Sequence, residues 1–148
     1  MLSNTSKYAI RAVIYLAVHA TQNKRIGIKK IADELNIPSP FLGKILQVLV
    51  RRKLLSSTKG PNGGFGIGKN PKDITLYDVI IEMDGDDLFN SCLLGAGSCD
   101  DHKKKGKKYC ALHFEYEPLR KEIIKLYKSK SVYELANNTE NKINEIIL

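Results

Sequence analysis

The chain is poor in cysteine, with only three among its 148 residues, and all of them, Cys92, Cys99 and Cys110, fall in one stretch of the second half. Thiols that few and that close together do not make a disulfide framework, so the cluster reads as a metal site or redox sensor of a cytosolic protein. No apolar run approaches the roughly 20 residues that cross a bilayer. The opening Met1-Leu2-Ser3-Asn4-Thr5-Ser6-Lys7 lacks the charged-then-apolar order of a secretory signal. A cytoplasmic protein is therefore expected. The glycines near residue 60 are not followed by Gly-Lys-Ser/Thr, which excludes a phosphate-cradling nucleotide loop.

Acidic residues are scarce in the first half. Residues 1–75 hold 13 Lys or Arg against 3 Asp or Glu, whereas residues 76–148 hold 11 against 13. The net charge of +8 therefore sits on one half, and such a field favours polyanions, nucleic acid first. With 43% hydrophobic residues, the chain has enough apolar material for the core of one domain. Two regions are expected within one continuous domain: 1–75, binding DNA, and 76–148, carrying the cysteine loop and dimerisation helices.

Ala9, Ala12, Val13, Leu16 and Ala17 form a helical stripe over Ser6 to His19, and Ile28, Ile31, Ala32 and Leu35 form a second. Asn36-Ile37-Pro38 breaks that helix; Ser39 suits an N-cap and Pro40 a first helical position. The third helix, about 40–52, is expected to turn Phe41, Leu42, Ile45, Leu46, Val48 and Leu49 inward and Gly43, Lys44, Gln47 and Arg51 outward. In a helix-turn-helix the second helix of the pair enters the major groove, which makes Lys44 and Gln47 candidate base readers and Ser39 and Arg51 further contacts. Strand-like Leu54–Thr58, the turn-rich Lys59-Gly60-Pro61-Asn62-Gly63-Gly64 and Phe65-Gly66-Ile67 read as a β-wing. Its tip, Lys59, Gly60, Asn62, Gly63 and Gly64, is expected to lie against the sugar-phosphate backbone.

In the second half, Leu76 to Met83 reads as a short helix ended by Asp84-Gly85-Asp86-Asp87. A helix from Pro118 carries Leu119, Ile123, Leu126 and Tyr127 on one stripe, and Val132 to Ala136 forms another short helix ahead of a loosely packed tail. The cysteine spacings, six residues and then ten, differ from the two-residue pairs of zinc ribbons. Thiolates hold iron-sulfur clusters, and a histidine can replace one of them. His113 is close enough to Cys110 if a helical turn begins there. Zinc and ligand-free thiols remain alternatives. The lysine run 103–108 reads as a solvated loop, although nearby cations also lower thiolate pKa values.

Ser6-Lys7-Tyr8-Ala9-Ile10-Arg11-Ala12, the helix pair, the wing Lys59–Phe65, Cys92-Leu93-Leu94-Gly95 and Cys110-Ala111-Leu112-His113 resemble the IscR/NsrR-type (Rrf-two) family of bacterial transcriptional regulators over roughly residues 1–136. The resemblance implies a mainly α fold with a small β-wing: a winged helix-turn-helix plus a long C-terminal dimerisation helix. It implies a homodimer on double-stranded DNA with no enzymatic activity, sensing iron-sulfur, redox or nitric oxide status. The expected cofactor is an iron-sulfur cluster, in 2Fe-2S form, held by Cys92, Cys99, Cys110 and His113. Family members without a cluster answer to a small molecule or protein partner, the alternative here. Two features depart from the pattern. The stretch between Cys99 and Cys110 is longer, and the positions from which some members donate a partner-chain carboxylate carry Lys7 and Tyr8. His113 thus stands ahead of His102 and Asp100 as fourth ligand.

Overall fold

The computed structural model describes residues 2–21, 24–94, 97–98, 104, 106 and 108–141. Helix α1, Asn4–His19, starts two residues before the apolar stripe suggests, because the Ser3 side chain caps it by accepting from the Ser6 N–H. Ala9, Ala12, Val13 and Leu16 are fully buried. Helix α2, Ile28–Leu35, ends where Asn36 takes a left-handed conformation, φ 52°, a backbone that Asn tolerates better than most residues.

Helix α3, Ser39–Arg51, begins one residue earlier than expected. Pro38 occupies the cap position, with its carbonyl accepting from the N–H groups of Phe41 (3.1 Å) and Leu42 (3.0 Å). Ser39 is thereby drawn into the first turn and does not cap through its side chain. Leu42, Ile45, Leu46 and Leu49 are buried, but Phe41 is 40% exposed and Val48 half-buried. Both lie at the flank of the buried stripe, where an inward reading from periodicity is weakest.

Strands β1, Leu55–Thr58, and β2, Gly64–Ile67, pair antiparallel, with Leu55 opposite Ile67 and Thr58 opposite Gly64. Ile26 extends this sheet: its N–H donates to the Phe65 carbonyl (3.0 Å), and the Phe65 N–H donates back (2.9 Å). After a 3-10 turn at Pro71–Asp73, helix α4, Leu76–Asp84, starts at a capping box of Thr75 and Asp78. A short helix α5, Asp87–Asn90, precedes the cysteine loop.

Helix α6 spans His113–Ser129, five residues longer at its start than a reading from Pro118 gives, and Pro118 lies inside it. Proline is tolerated poorly there because it forfeits one backbone hydrogen bond, but His113 already starts the turn through its N–H to the Cys110 carbonyl (3.1 Å). Helix α7, Val132–Asn141, is longer than expected. It is capped by Ser131, whose Oγ accepts from the Glu134 N–H (3.2 Å). It packs on α1, burying Val132 and Ala136. Among the described residues no helix is long and apolar enough to cross a membrane.

Candidate nucleic-acid interface and cysteine loop

Four apolar anchors set the orientation of α3 and leave Lys44, Gln47 and Arg51 exposed on its outer side, with Ser39 half-buried at its start. Gln47 and Arg51 share one groove of about 460 Å³ with Ser57, Thr58, Lys59, Gly64 and Phe65 of the wing. Helix and wing thus present amide, guanidinium and ammonium groups to a common space. Lys59, Gly60 and Asn62 are exposed at the tip, and Gly63 is half-buried with its N–H bonded to the Gly60 carbonyl (2.9 Å).

Two of the candidate glycines are required by the wing itself. At Gly64, φ is +145° and a Cβ would stand 2.5 Å from the Ile26 carbonyl oxygen; at Gly63 a Cβ would collide with the Thr58 carbonyl. Close backbone approach is the usual reason for glycine in such a hairpin. Arg25, which the sequence reading did not single out, binds the wing from behind by donating to Ser56 Oγ. Ser56 Oγ donates in turn to the Ile67 carbonyl (3.0 Å). A lone arginine outside any motif carries no sequence signal for such a role.

In the second half, Cys92 is buried just beyond α5, its N–H bonded to the Gly97 carbonyl (2.8 Å) beneath a bridge between Ser91 and Ser98. Cys110 is half-buried in the turn that opens α6. Cys99 lies outside the described residues, as do Asp100, His102 and Lys103, Lys105 and Lys107 of the lysine run. The His113 ring stacks flat on Tyr109, with centroids 3.9 Å apart and planes within 3°. It lines a cavity of about 580 Å³ shared with Ser91, Ser98, Glu117 and Arg120. Its Nδ1 is buried without a hydrogen-bond partner among the described residues, and such an atom costs stability unless a ligand or water takes it up.

Arg120 fastens this region. It is buried, donating from Nη1 to the Ser91 carbonyl (2.9 Å) and from Nε to Glu117 Oε2 (2.9 Å), which ties the segment leading into Cys92 to α6. The Arg120 hydrogen bond holds the Glu117 carboxyl below its ordinary value against the opposing push of burial. Periodicity placed Arg120 off the apolar stripe, but gave no sign of its burial.

Among the described residues no three His, Cys, Asp or Glu side chains lie close enough together to hold a metal ion. The donor types nevertheless suit a thiophilic group: Cys92 is buried, Cys110 half-buried, and the His113 Nδ1 is without a partner among the described residues. On α6, Phe114 (71% exposed), Leu119, Ile123 and Leu126 face outward. Tyr127, expected on the same stripe, is half-buried and meets Phe89 edge-on at 6.1 Å.

The family model Rrf2, described as iron-dependent transcriptional regulator, matches residues 2–138. A protein of Aquifex aeolicus assigned as an HTH-type transcriptional regulator is 33% identical over 97% of this chain and 96% of its own length. The HTH-type transcriptional regulator IscR of Photorhabdus laumondii is 28% identical over 94% of this chain and 80% of its own. Among solved structures, T. potens IscR superposes with a TM-score of 0.74 over 100% of this chain and 93% of that one, at 20% identity. CymR, the global cysteine regulator of B. subtilis, gives 0.74 over 94% and 98%, at 21%. At these identities the two structures establish the winged-helix fold.

Proposed function

This chain belongs to the Rrf2 family of DNA-binding transcriptional regulators, which are not enzymes, and from that premise we propose how it reads DNA and what it senses. Lys44 and Gln47 read base edges from α3, Ser39 and Arg51 position that helix, and the tip residues Lys59, Gly60, Asn62, Gly63 and Gly64 meet the sugar-phosphate backbone. The groove shared by Gln47, Arg51 and Lys59 supports this division, because base contacts specify whereas phosphate contacts position. Region 1–75 does the reading, and region 76–148 supplies the sensor and the dimer contact within one domain. The regulator works in the cytoplasm as a homodimer, with α6 of one copy against α6 of the other.

The sensor is an iron-sulfur cluster of the 2Fe-2S form on the cysteine loop, held by Cys92, Cys99, Cys110 and His113, through which the protein follows iron-sulfur, redox or nitric oxide status. The observation that carries this reading is the buried, unpaired Nδ1 of His113 at the cavity beside Ser91 and Ser98. A bound cluster supplies redox chemistry. A neutral imidazole in place of a thiolate raises its potential. Tyr109 stacks on the imidazole, and Arg120 holds the segment that leads into Cys92.

The test is anaerobic purification or reconstitution, with visible absorption and iron and sulfide analysis. Stoichiometric iron and sulfide are expected, with the chromophore abolished by Cys92→Ala, Cys99→Ala or Cys110→Ala and weakened or shifted by His113→Ala. Wild-type protein that takes up neither iron nor sulfide makes this a cluster-free regulator answering to a small molecule or protein partner.

A further inference from the structure

Phe41 lies in the leading turn of α3, 40% exposed, one turn ahead of the exposed Lys44. A single exposed phenylalanine is ordinary on a protein surface, but this one is held in position. The Tyr8 ring of α1 meets it edge-on, with centroids 5.8 Å apart and planes at 85°, a favoured aromatic geometry. The turn around it has little to offer a polar partner. Pro40 has no N–H, the Phe41 N–H is already given to the Pro38 carbonyl, and Ser39 carries the only hydroxyl.

A base pair presents donors, acceptors and one apolar group in the major groove, and that apolar group is the C5-methyl of thymine. A phenyl ring has nothing to exchange with the donors and acceptors, so at the front of a reading helix it can discriminate only through the methyl. We propose that Phe41, braced by Tyr8, is a specificity-determining residue that reads a thymine methyl in the operator, next to the base edge read by Lys44. The inference rests on α3 entering the major groove, as proposed above.

The experiment uses the full-length protein to select bound duplexes from a random-sequence pool, and then replaces each thymine of the selected site singly by uracil, which pairs identically and lacks only the methyl. At one thymine or more the wild type is expected to lose about fourfold in affinity, the equivalent of about one methylene-sized group returned to water. Phe41→Ala is expected to bind the thymine and uracil duplexes equally well, whereas Lys44→Ala keeps the difference between them. The proposal is overturned if uracil is neutral at every position, or if Phe41→Ala retains the uracil penalty. Failure to select any duplex would overturn the DNA-reading role of α3 itself, and this proposal with it.

Discussion

Arg52, the residue that ends the recognition helix, donates from Nε to Glu82 Oε2 on α4 at 2.8 Å. Helix α4 in turn meets the region of the cysteine loop, since Tyr77 stacks on Phe89 at 4.9 Å and Phe89 meets Tyr127 of α6. The end of α3 and the helix α5 that precedes the cysteine loop thus touch a common element. The Arg52 side chain is 65% exposed, and exposed ion pairs contribute little. A double-mutant cycle of Arg52→Ala and Glu82→Ala, measured by urea unfolding, is expected to give a coupling of about 0.2–1 kcal/mol.

Asp84, at the other end of α4, accepts from the Ser3 N–H (3.1 Å) and from Ser3 Oγ, and so braces the start of α1. Burial pushes its carboxyl up, but the lowering effects together, the Ser3 hydrogen bonds foremost among them, leave the value below the ordinary one. A depressed value in the folded state means the stabilisation is complete above the unfolded pKa of about 3.9 and is lost as pH falls through the folded one. Asp84→Asn is therefore expected to cost about 1 kcal/mol at pH 7. The gap from wild type should close in strong acid, as followed by thermal melts across pH.

Arg120 donates to acceptors on two different segments, Glu117 and the Ser91 carbonyl. Removing the guanidinium strands a partly buried carboxylate and a carbonyl, so Arg120→Ala is expected to destabilise the fold by about 2–3 kcal/mol. Arg120→Lys should not restore it, because a point ammonium cannot reproduce a planar fork. Glu117 should return toward its ordinary pKa in the alanine variant, which carboxyl-resolved NMR titration would register.

Much of the fold of the first half was legible in the sequence. The stripes of α1, α2 and α3 have the period of helices with one buried face, and the Gly-rich turn between two short runs announces a hairpin. The bridge from Ile26 to Phe65 of the wing escaped notice, because a single bridging residue shows no alternation. Phe41 escaped because a flank position satisfies the periodicity whether it faces inward or outward. In the second half the thiols declared themselves by clustering alone. The burial of Arg120 against the Ser91 carbonyl depends on a contact between segments 29 residues apart, and local pattern does not encode it.

The wing separates two kinds of contribution to affinity. Lys59 is exposed at its tip, so Lys59→Ala is expected to weaken binding to all duplex sequences alike and to lower the slope of log affinity against log salt by about 1. Lys44→Ala should relax sequence preference. Gly64→Ala forces a side chain onto φ +145° and against the Ile26 carbonyl, which costs on the order of 1–3 kcal/mol locally. It should weaken binding while leaving the helical circular dichroism unchanged.

The outward row of Leu119, Ile123 and Leu126 on α6 is larger than scattered surface hydrophobes require, and burying each such side chain contributes about 1.5–3 kcal/mol. In a two-fold dimer every substitution appears on both sides of the contact, so a charge placed in this row is buried twice. Ile123→Asp removes no contact on which the subunit's own core depends, since Ile123 is 44% exposed. It is expected to shift the protein from dimer to monomer in sedimentation equilibrium at micromolar concentration while leaving the helical content intact. Because the two reading helices of a dimer span two half-sites, the variant should also bind a palindromic duplex at least 100-fold more weakly and a single half-site with little change. A wild-type chain that sediments as a monomer would rule out α6 as the dimer contact.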